Sequence, residues 1–158
     1  MSMFTRELAE SFERSILPVN EATALPPQLY TSPEFYAFEK EAVFGHEWLC
    51  VGRADQVPEP GDYRTLTLAG EPLILTRHKD GSLRVLSAVC RHRGMVVAEG
   101  RGHVTSFLCP YHHWTYGTDG RLLGCPEMDR AVGFDKADHP LPSLPVEVWN
   151  GFVFTSFD

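Results

Sequence analysis

Two short stretches of this chain each carry a cysteine followed closely by a histidine: Cys90-Arg-His92 and, sixteen residues later, Cys109-Pro-Tyr-His112. Two thiolates and two imidazoles are the ligands of a 2Fe–2S cluster in which the cysteines bind one iron and the histidines bind the other. The two spacings allow each pair to reach across the cluster, with one residue to each iron. We therefore predict that these four residues bind a 2Fe–2S cluster.

A structural zinc site is the main alternative, because zinc also takes two cysteines and two histidines in a tetrahedron. Zinc ligands are usually grouped as Cys-x(2–4)-Cys and His-x(3–5)-His, whereas this chain alternates cysteine with histidine. Four unrelated core residues are a poorer interpretation. The first pair is flanked by Arg91 and Arg93, and Gly94 and Pro110 are typical of loop tips.

Around these ligands the chain resembles the Rieske non-haem iron oxygenases, in the N-terminal part of their large (alpha) subunit. The stretches that carry the resemblance are Cys90-Arg-His-Arg-Gly-Met95, Cys109-Pro-Tyr-His-His-Trp-Thr-Tyr-Gly117 and the hairpin Asp119-Gly-Arg-Leu122. The flanking segments 25–34, 46–53 and 149–154 also resemble the family. The resemblance covers about residues 25–158 and implies three stacked antiparallel sheets with the cluster between two loops at one end.

The sequence pattern by itself predicts antiparallel β-structure after residue 46. Short apolar runs are separated by glycine and proline, and Asp80-Gly81 and Asp119-Gly120 are hairpin signals. The candidate strands are 47–53, 62–68, 72–77, 83–89, 104–108, 114–117, 121–124, 146–149 and 152–156. We therefore expect a mainly β, Rieske-type fold of antiparallel sheets with cluster-binding loops, in a domain spanning residues 46–158.

Short helices are expected in the segment 1–45 that precedes this domain. Residues 3–15 have Phe4, Leu8 and Phe12 at every fourth position, which is typical of an amphipathic helix. The proline-rich segment 17–33 is expected to be extended. Ser32 is a candidate N-cap for a second helix that ends near Gly45 and has Phe35, Phe38, Ala42 and Val43 on its apolar face.

The composition of the chain limits the kinds of partner that it can bind. The formal net charge of −7 argues against nucleic acid or an anionic membrane. No apolar run approaches the ~20 residues that span a bilayer, and the N-terminus lacks a secretory signal. A cytoplasmic location is expected. It suits free thiols at the two remaining cysteines: Cys50 is predicted to be a small buried side chain, and Cys125 a loop thiol.

One position departs from the family pattern. His113 follows the second histidine ligand where the family usually has glycine. We expect His113 to pack or donate a hydrogen bond near the cluster. It is not expected to replace His112, because a shift in spacing would misplace the imidazole.

The neighbours of the ligands indicate a low reduction potential. In high-potential Rieske proteins a disulfide ties the two loops together, and a serine and a tyrosine donate hydrogen bonds to sulfur. The resemblance places Met95 and Tyr111 where the disulfide cysteines would be, and Trp114 where the serine would be. Only Tyr116 retains a hydroxyl. Fewer donors leave the reduced cluster less stabilised, so we expect a potential of about −150 mV.

The resemblance implies an electron-transfer domain of an aromatic-ring or quaternary-ammonium oxygenase, either a dioxygenase or a monooxygenase. The domain would relay electrons from a reductase or ferredoxin to a mononuclear iron in a catalytic domain of the same or a neighbouring subunit, with a homo-oligomeric full-length protein. The remaining histidines show no pairing with an acid that suits such an iron, so no oxygenation is expected from this chain alone. A free-standing Rieske ferredoxin is the alternative, although that class lacks a helical segment like 1–45.

Arginines around the ligands have two interpretations. Arg91, Arg93, Arg101 and Arg121 lie near the two loops in the sequence. They are either a solvated face or a basic collar that steers an acidic electron donor to the cluster.

Overall fold

A computed structural model describes residues 6–158, apart from the side chains at positions 7 and 129. The chain divides into two compact units, the first ending at Gly45 and the second spanning His46–Asp158. No helix among the described residues has the length and apolar character needed to cross a bilayer.

The first unit is helical. It contains α1 Arg6–Ser15, α2 Gln28–Thr31, α3 Pro33–Glu39 and a π-helix over Lys40–Phe44 that continues α3. The Ser32 hydroxyl accepts a hydrogen bond from the backbone N–H of Phe35 at 3.1 Å, as expected of an N-cap. Leu8, Leu29 and Phe35 form the buried core of this unit.

Three details of the helical predictions need comment. Residues 3–5 of the first predicted helix, including Phe4, lie outside the described residues. The segment 17–33 is interrupted by α2, so the prediction of an extended linker is wrong there. Ala42 and Val43 are exposed, contrary to prediction. The π-helix explains this difference, because its wider i→i+5 turns rotate these positions off the α-helical stripe.

The second unit is built from eleven strands. They are β1 Leu49–Arg53, β2 Asp62–Leu68, β3 Glu71–Arg77, β4 Leu83–Ser87, β5 Arg101–His103, β6 Ser106–Leu108, β7 Thr115–Gly117, β8 Leu122–Gly124, β9 Ser143–Leu144, β10 Val146–Trp149 and β11 Phe152–Thr155. Three sheets result, with strand orders β1-β11-β10, β5-β2-β3-β4-β9 and β6-β7-β8. All pairings are antiparallel, which confirms the predicted mainly β fold.

The five-stranded sheet is buried on both faces. Leu73 and Leu75 of β3 pack in one apolar cluster with Val153 of β11. Ile74, which lies between them, packs in a second cluster with Phe107 of β6. Successive side chains of a strand point to opposite faces, so β3 contributes to both clusters. The three sheets therefore form layers, with the five-stranded sheet in the middle.

Candidate metal centre

The first ligand loop joins β4 to β5 and carries Cys90 and His92. The backbone N–H of Cys90 donates to the carbonyl of Met95 at 2.8 Å, and the N–H of Gly94 donates back to the carbonyl of Cys90 at 3.0 Å. A β-bridge between Val89 and Val96 closes the base of the loop. Gly94 has a φ of 74°, a left-handed conformation that glycine adopts at little cost.

The second ligand loop joins β6 to β7 and has the same hydrogen-bond pattern. The N–H of Cys109 donates to the carbonyl of Trp114 at 2.8 Å, and the N–H of His113 donates to the carbonyl of Cys109 at 3.0 Å. His113 has a φ of 57° and is thus the structural counterpart of Gly94. The departure noted in the sequence is therefore a histidine in the left-handed position that closes this loop.

The two predicted cysteine ligands are buried in the same apolar cluster. Cys90 is 3% exposed and Cys109 is 1% exposed. Both are free thiols. Cys125 is also a buried free thiol in this cluster. Cys50 is exposed, contrary to prediction, because it alternates along β1 with Val51, whose side chain faces the core.

The two predicted histidine ligands lie side by side. The ring centroids of His92 and His112 are 4.6 Å apart. The Nδ1 atom of each ring is buried and has no hydrogen-bond partner among the described residues. Leaving a buried polar atom unpaired costs about 1–3 kcal/mol. Two such nitrogens next to each other are best explained if both histidines bind metal.

The electrostatics suit neutral imidazole ligands. Burial lowers the pKa of His92, and the neighbouring charges of His112 and Arg93 lower it further. A histidine must be deprotonated at the nitrogen that binds a metal. Because the protonated form is disfavoured, His92 favours the neutral form that can bind a metal.

Aromatic side chains hold the ring of His92 in place. The Trp114 ring stacks on it at 4.8 Å with an interplanar angle of 5°. Trp114 is buried, and two further aromatic rings meet it edge-on, Phe134 at 5.7 Å and His139 at 5.9 Å. The sequence did not predict this stack, because Phe134 and His139 are at least twenty residues from Trp114 in the chain. The stack excludes water from one face of the candidate ligand.

The exposed edge of the two loops borders an open groove of ≈ 500 Å³. It is lined by His92, Arg93, Tyr111, His112, His113, Pro126, Glu127 and Met128. Of the four arginines with two interpretations, Arg93 lines this groove, whereas Arg101 and Arg121 line other cavities.

The donor set fits a two-iron cluster. Two buried thiols and two unpaired imidazole nitrogens lie on two loops of matching conformation, as cysteine and histidine ligation of a 2Fe–2S cluster requires. Among the described residues, no three His, Cys, Asp or Glu side chains are placed to hold a single metal ion. The four candidate ligands therefore do not converge on one point.

Layered antiparallel sheets with two such loops define an iron–sulfur electron-transfer domain. The chain belongs to the Rieske [2Fe-2S] domain family, which matches residues 47–145. This match confirms the predicted family and the 2Fe–2S cofactor, and it replaces the zinc interpretation.

Several larger oxygenases are similar to the chain. The carnitine monooxygenase oxygenase subunit of Acinetobacter pittii (strain PHEA-2) is 38% identical over 87% of this chain and 37% of its own length. The biphenyl 2,3-dioxygenase subunit alpha of Rhodococcus jostii (strain RHA1) is 38% identical over 89% of this chain and 31% of its own length. A structure of naphthalene 1,2-dioxygenase from Rhodococcus sp. superposes with a TM-score of 0.84 and 32% identity, over 98% of this chain and 36% of that one. The chain thus spans less than two fifths of these relatives.

Proposed function

We propose that Cys90, His92, Cys109 and His112 hold the 2Fe–2S cluster, and that the chain relays electrons within a Rieske oxygenase. The observation that carries this proposal is the pair of buried, unpaired Nδ1 atoms on His92 and His112. They lie on the same two loops as two buried thiols. When bound, the cluster supplies one-electron redox chemistry.

The surrounding residues have separate tasks in this proposal. The thiols of Cys90 and Cys109 are kept from solvent by the apolar cluster around them. The hydroxyl of Tyr116 lies 3.3 Å from the sulfur of Cys90 and donates a hydrogen bond to it when the thiol is ionised. Trp114 orients His92 by stacking. Because His92 and His112 border the groove, they form the edge at which an electron enters and leaves.

The similar proteins support a proposal about the partners. We propose that a reductase or ferredoxin donates electrons at the groove. The acceptor is then a mononuclear iron in a catalytic domain outside this chain, in the same or a neighbouring subunit of a homo-oligomer. One similar structure is that of a quaternary ammonium Rieske monooxygenase, which is 38% identical to this chain and superposes on it with a TM-score of 0.79. That structure gives insight into inter-subunit electron transfer. This similarity supports a route across a subunit boundary.

The substrate belongs to one of two classes, quaternary ammonium compounds or aromatic rings. Relatives of both kinds, a glycine betaine monooxygenase and a biphenyl dioxygenase, are each 38% identical to the chain. Similarity to oxygenases also extends through the helical unit, since one structure superposes over 98% of the chain. That extent favours an oxygenase domain over a free-standing ferredoxin.

A redox titration combined with a product assay tests this function. The purified chain should accept one electron, with a potential near the low end of the Rieske range, about −150 mV. Mixed with a competent reductase, oxygen and either carnitine or biphenyl, it should be reduced and reoxidised without forming product. Hydroxylated or demethylated product from this chain alone, with contaminating oxygenase excluded, would refute the proposal. So would a failure to take up any electron.

A further inference from the structure

A second cavity, of ≈ 280 Å³, lies in the β unit, and no candidate cluster ligand lines it. Its walls come from the segment before β2, the turn after β3, the end of β5 and the turn after β7. Four lining side chains carry or can acquire a positive charge: His78, Lys79, His103 and Arg121. On a chain with a net charge of −7, such a local excess of cations indicates an anionic ligand.

His78 is the buried polar group of this cavity. It is 8% exposed, and its Nδ1 lies 2.7 Å from the hydroxyl oxygen of Thr118. That contact fixes the ring. The other ring nitrogen, Nε2, has no hydrogen-bond partner among the residues that the structure describes. Because Thr118 contacts Nδ1, Nε2 is the ring nitrogen that a ligand in the cavity can reach.

His103 and Gly61 form the opposite wall. The Nδ1 of His103 lies 2.9 Å from Oδ1 of Asp62, which orients the ring. Gly61 has a φ of 97°, and a Cβ added there would lie 3.1 Å from Nε2 of His103 and 2.7 Å from the carbonyl oxygen of Val104. Glycine at this position therefore allows the His103 ring to pack close to the backbone of residue 61.

Asp119, the one carboxylate among the described lining residues, is already paired. Its Oδ2 accepts a hydrogen bond from Nε of Arg121 at 2.6 Å, and its Oδ1 accepts one from the Arg121 backbone N–H at 3.2 Å. The terminal nitrogens of Arg121 and the Lys79 ammonium make no hydrogen bond to the described part of the chain. These donors remain available to a ligand.

We propose that this cavity binds a small oxyanion, a phosphate or a carboxylate. His78 donates from its Nε2 atom, and Lys79 and Arg121 supply positive charge at the rim. The carboxylates that face the two imidazoles are Asp80 and Asp119 for His78, and Asp62 for His103.

Calorimetric titration of the full chain with inorganic phosphate at constant ionic strength tests this proposal. We expect saturable binding at one site. Lys79→Gln should weaken binding by about tenfold, because it removes a charged donor. The Lys79 side chain is solvent-exposed, so this variant should not unfold the chain. Arg101→Gln removes the same charge from exposed β5 without touching the cavity, and should bind phosphate like the parent.

Acetate, titrated in the same way, separates the two ligand classes: binding of phosphate alone assigns a phosphoryl ligand, and binding of both assigns a carboxylate-tolerant site. The visible spectrum of each variant reports whether the β unit is intact. The proposal would be overturned if the heats of binding saturate with neither phosphate nor acetate. The proposal would also be overturned if Arg101→Gln and Lys79→Gln weaken phosphate binding equally, since that result indicates a general effect of the protein's net charge.

Discussion

The phenolic oxygen of Tyr116 lies 3.3 Å from the sulfur of Cys90 and accepts a hydrogen bond from the backbone N–H of Arg91 at 3.0 Å. Tyr116 is fully buried. Burial raises the pKa of its hydroxyl well above the usual range, and the hydrogen bond to Cys90 adds to the increase. The hydroxyl therefore stays protonated and stabilises negative charge on the sulfur.

Tyr116→Phe should lower the reduction potential of the cluster. The reduced cluster carries more negative charge, so losing a donor to its sulfur ligand destabilises the reduced state most. A fall of about 60 mV corresponds to a tenfold change in a one-electron equilibrium, and a spectroelectrochemical titration would measure it. Tyr63→Phe is the matched control, because the Tyr63 hydroxyl donates a hydrogen bond to the Glu99 carbonyl, at 3.4 Å, and to no cysteine among the described residues. Equal potentials for parent and Tyr116→Phe would contradict this role.

Backbone strain in the two ligand loops predicts opposite effects of two substitutions. Gly94→Ala should destabilise the domain by about 1 kcal/mol, because φ is 74° and alanine resists the left-handed conformation. A Cβ at Gly94 meets nothing within 4 Å, so the cost is conformational. His113→Gly should stabilise the domain by up to about 1 kcal/mol, since φ is 57° there.

Chemical denaturation of the cluster-loaded chain would measure both changes. Gly124→Ala serves as the control, because Gly124 has no positive φ and an added Cβ makes only ordinary contacts, at 3.6 Å from Thr115. Destabilisation by His113→Gly would show that the His113 side chain contributes more to the loop than its backbone strain costs.

The Cys/His spacings were enough to predict the cofactor and the family, because ligand chemistry is local in sequence. Strands with strong alternation were also predictable. β5 was missed because Arg101-Gly-His103 contains no apolar side chain, and β9 was missed because it has only two residues. The stack of Trp114 on His92 and the cavity beside His78 depend on residues far apart in the chain. The exposure of Cys50 depends on which face of β1 is buried, and an apolar run alone does not specify that face.

Asp62 should make stability depend on pH in the acid range. The backbone N–H of Glu59 lowers the pKa of Asp62, and the hydrogen bond with His103 lowers it further. A carboxylate with a lowered folded-state pKa stabilises the fold above its unfolded value, about 4. That contribution is lost as the pH falls through the folded-state value.

Asp62→Asn should therefore have a lower melting temperature than the parent near neutral pH. This gap in melting temperature should close as the pH falls below about 4. Thermal melts of both proteins in the same buffers measure the gap, and any acid sensitivity of the cluster is common to both. Glu147→Gln is the control, because Glu147 is exposed on β10 and makes no hydrogen bond within the described residues. A gap that stays constant with pH would be evidence against this account of Asp62.

Electron uptake should be coupled to proton uptake at the candidate histidine ligands. The Nδ1 atoms of His92 and His112 face inward and are buried, whereas the rings border the open groove. The other nitrogen of each ring would then be the site of the coupled proton, because reduction of a bound cluster would add negative charge next to it. The potential should be flat at low pH and fall at higher pH, by about 59 mV per unit for each coupled proton. A potential constant from acid to strongly alkaline pH would exclude exposed imidazole ligands.

Pulsed electron paramagnetic resonance of the reduced chain labelled with ¹⁵N-histidine tests the assignment of Cys90, His92, Cys109 and His112 most directly. The protein should contain iron and acid-labile sulfide in equal amounts, and its spectrum should show two strongly coupled histidine nitrogens. His113→Gly should retain both couplings, because His113 closes the second loop and is not expected to bind iron. A colourless protein containing zinc, a cluster without histidine coupling, or loss of one coupling in His113→Gly would contradict the assignment.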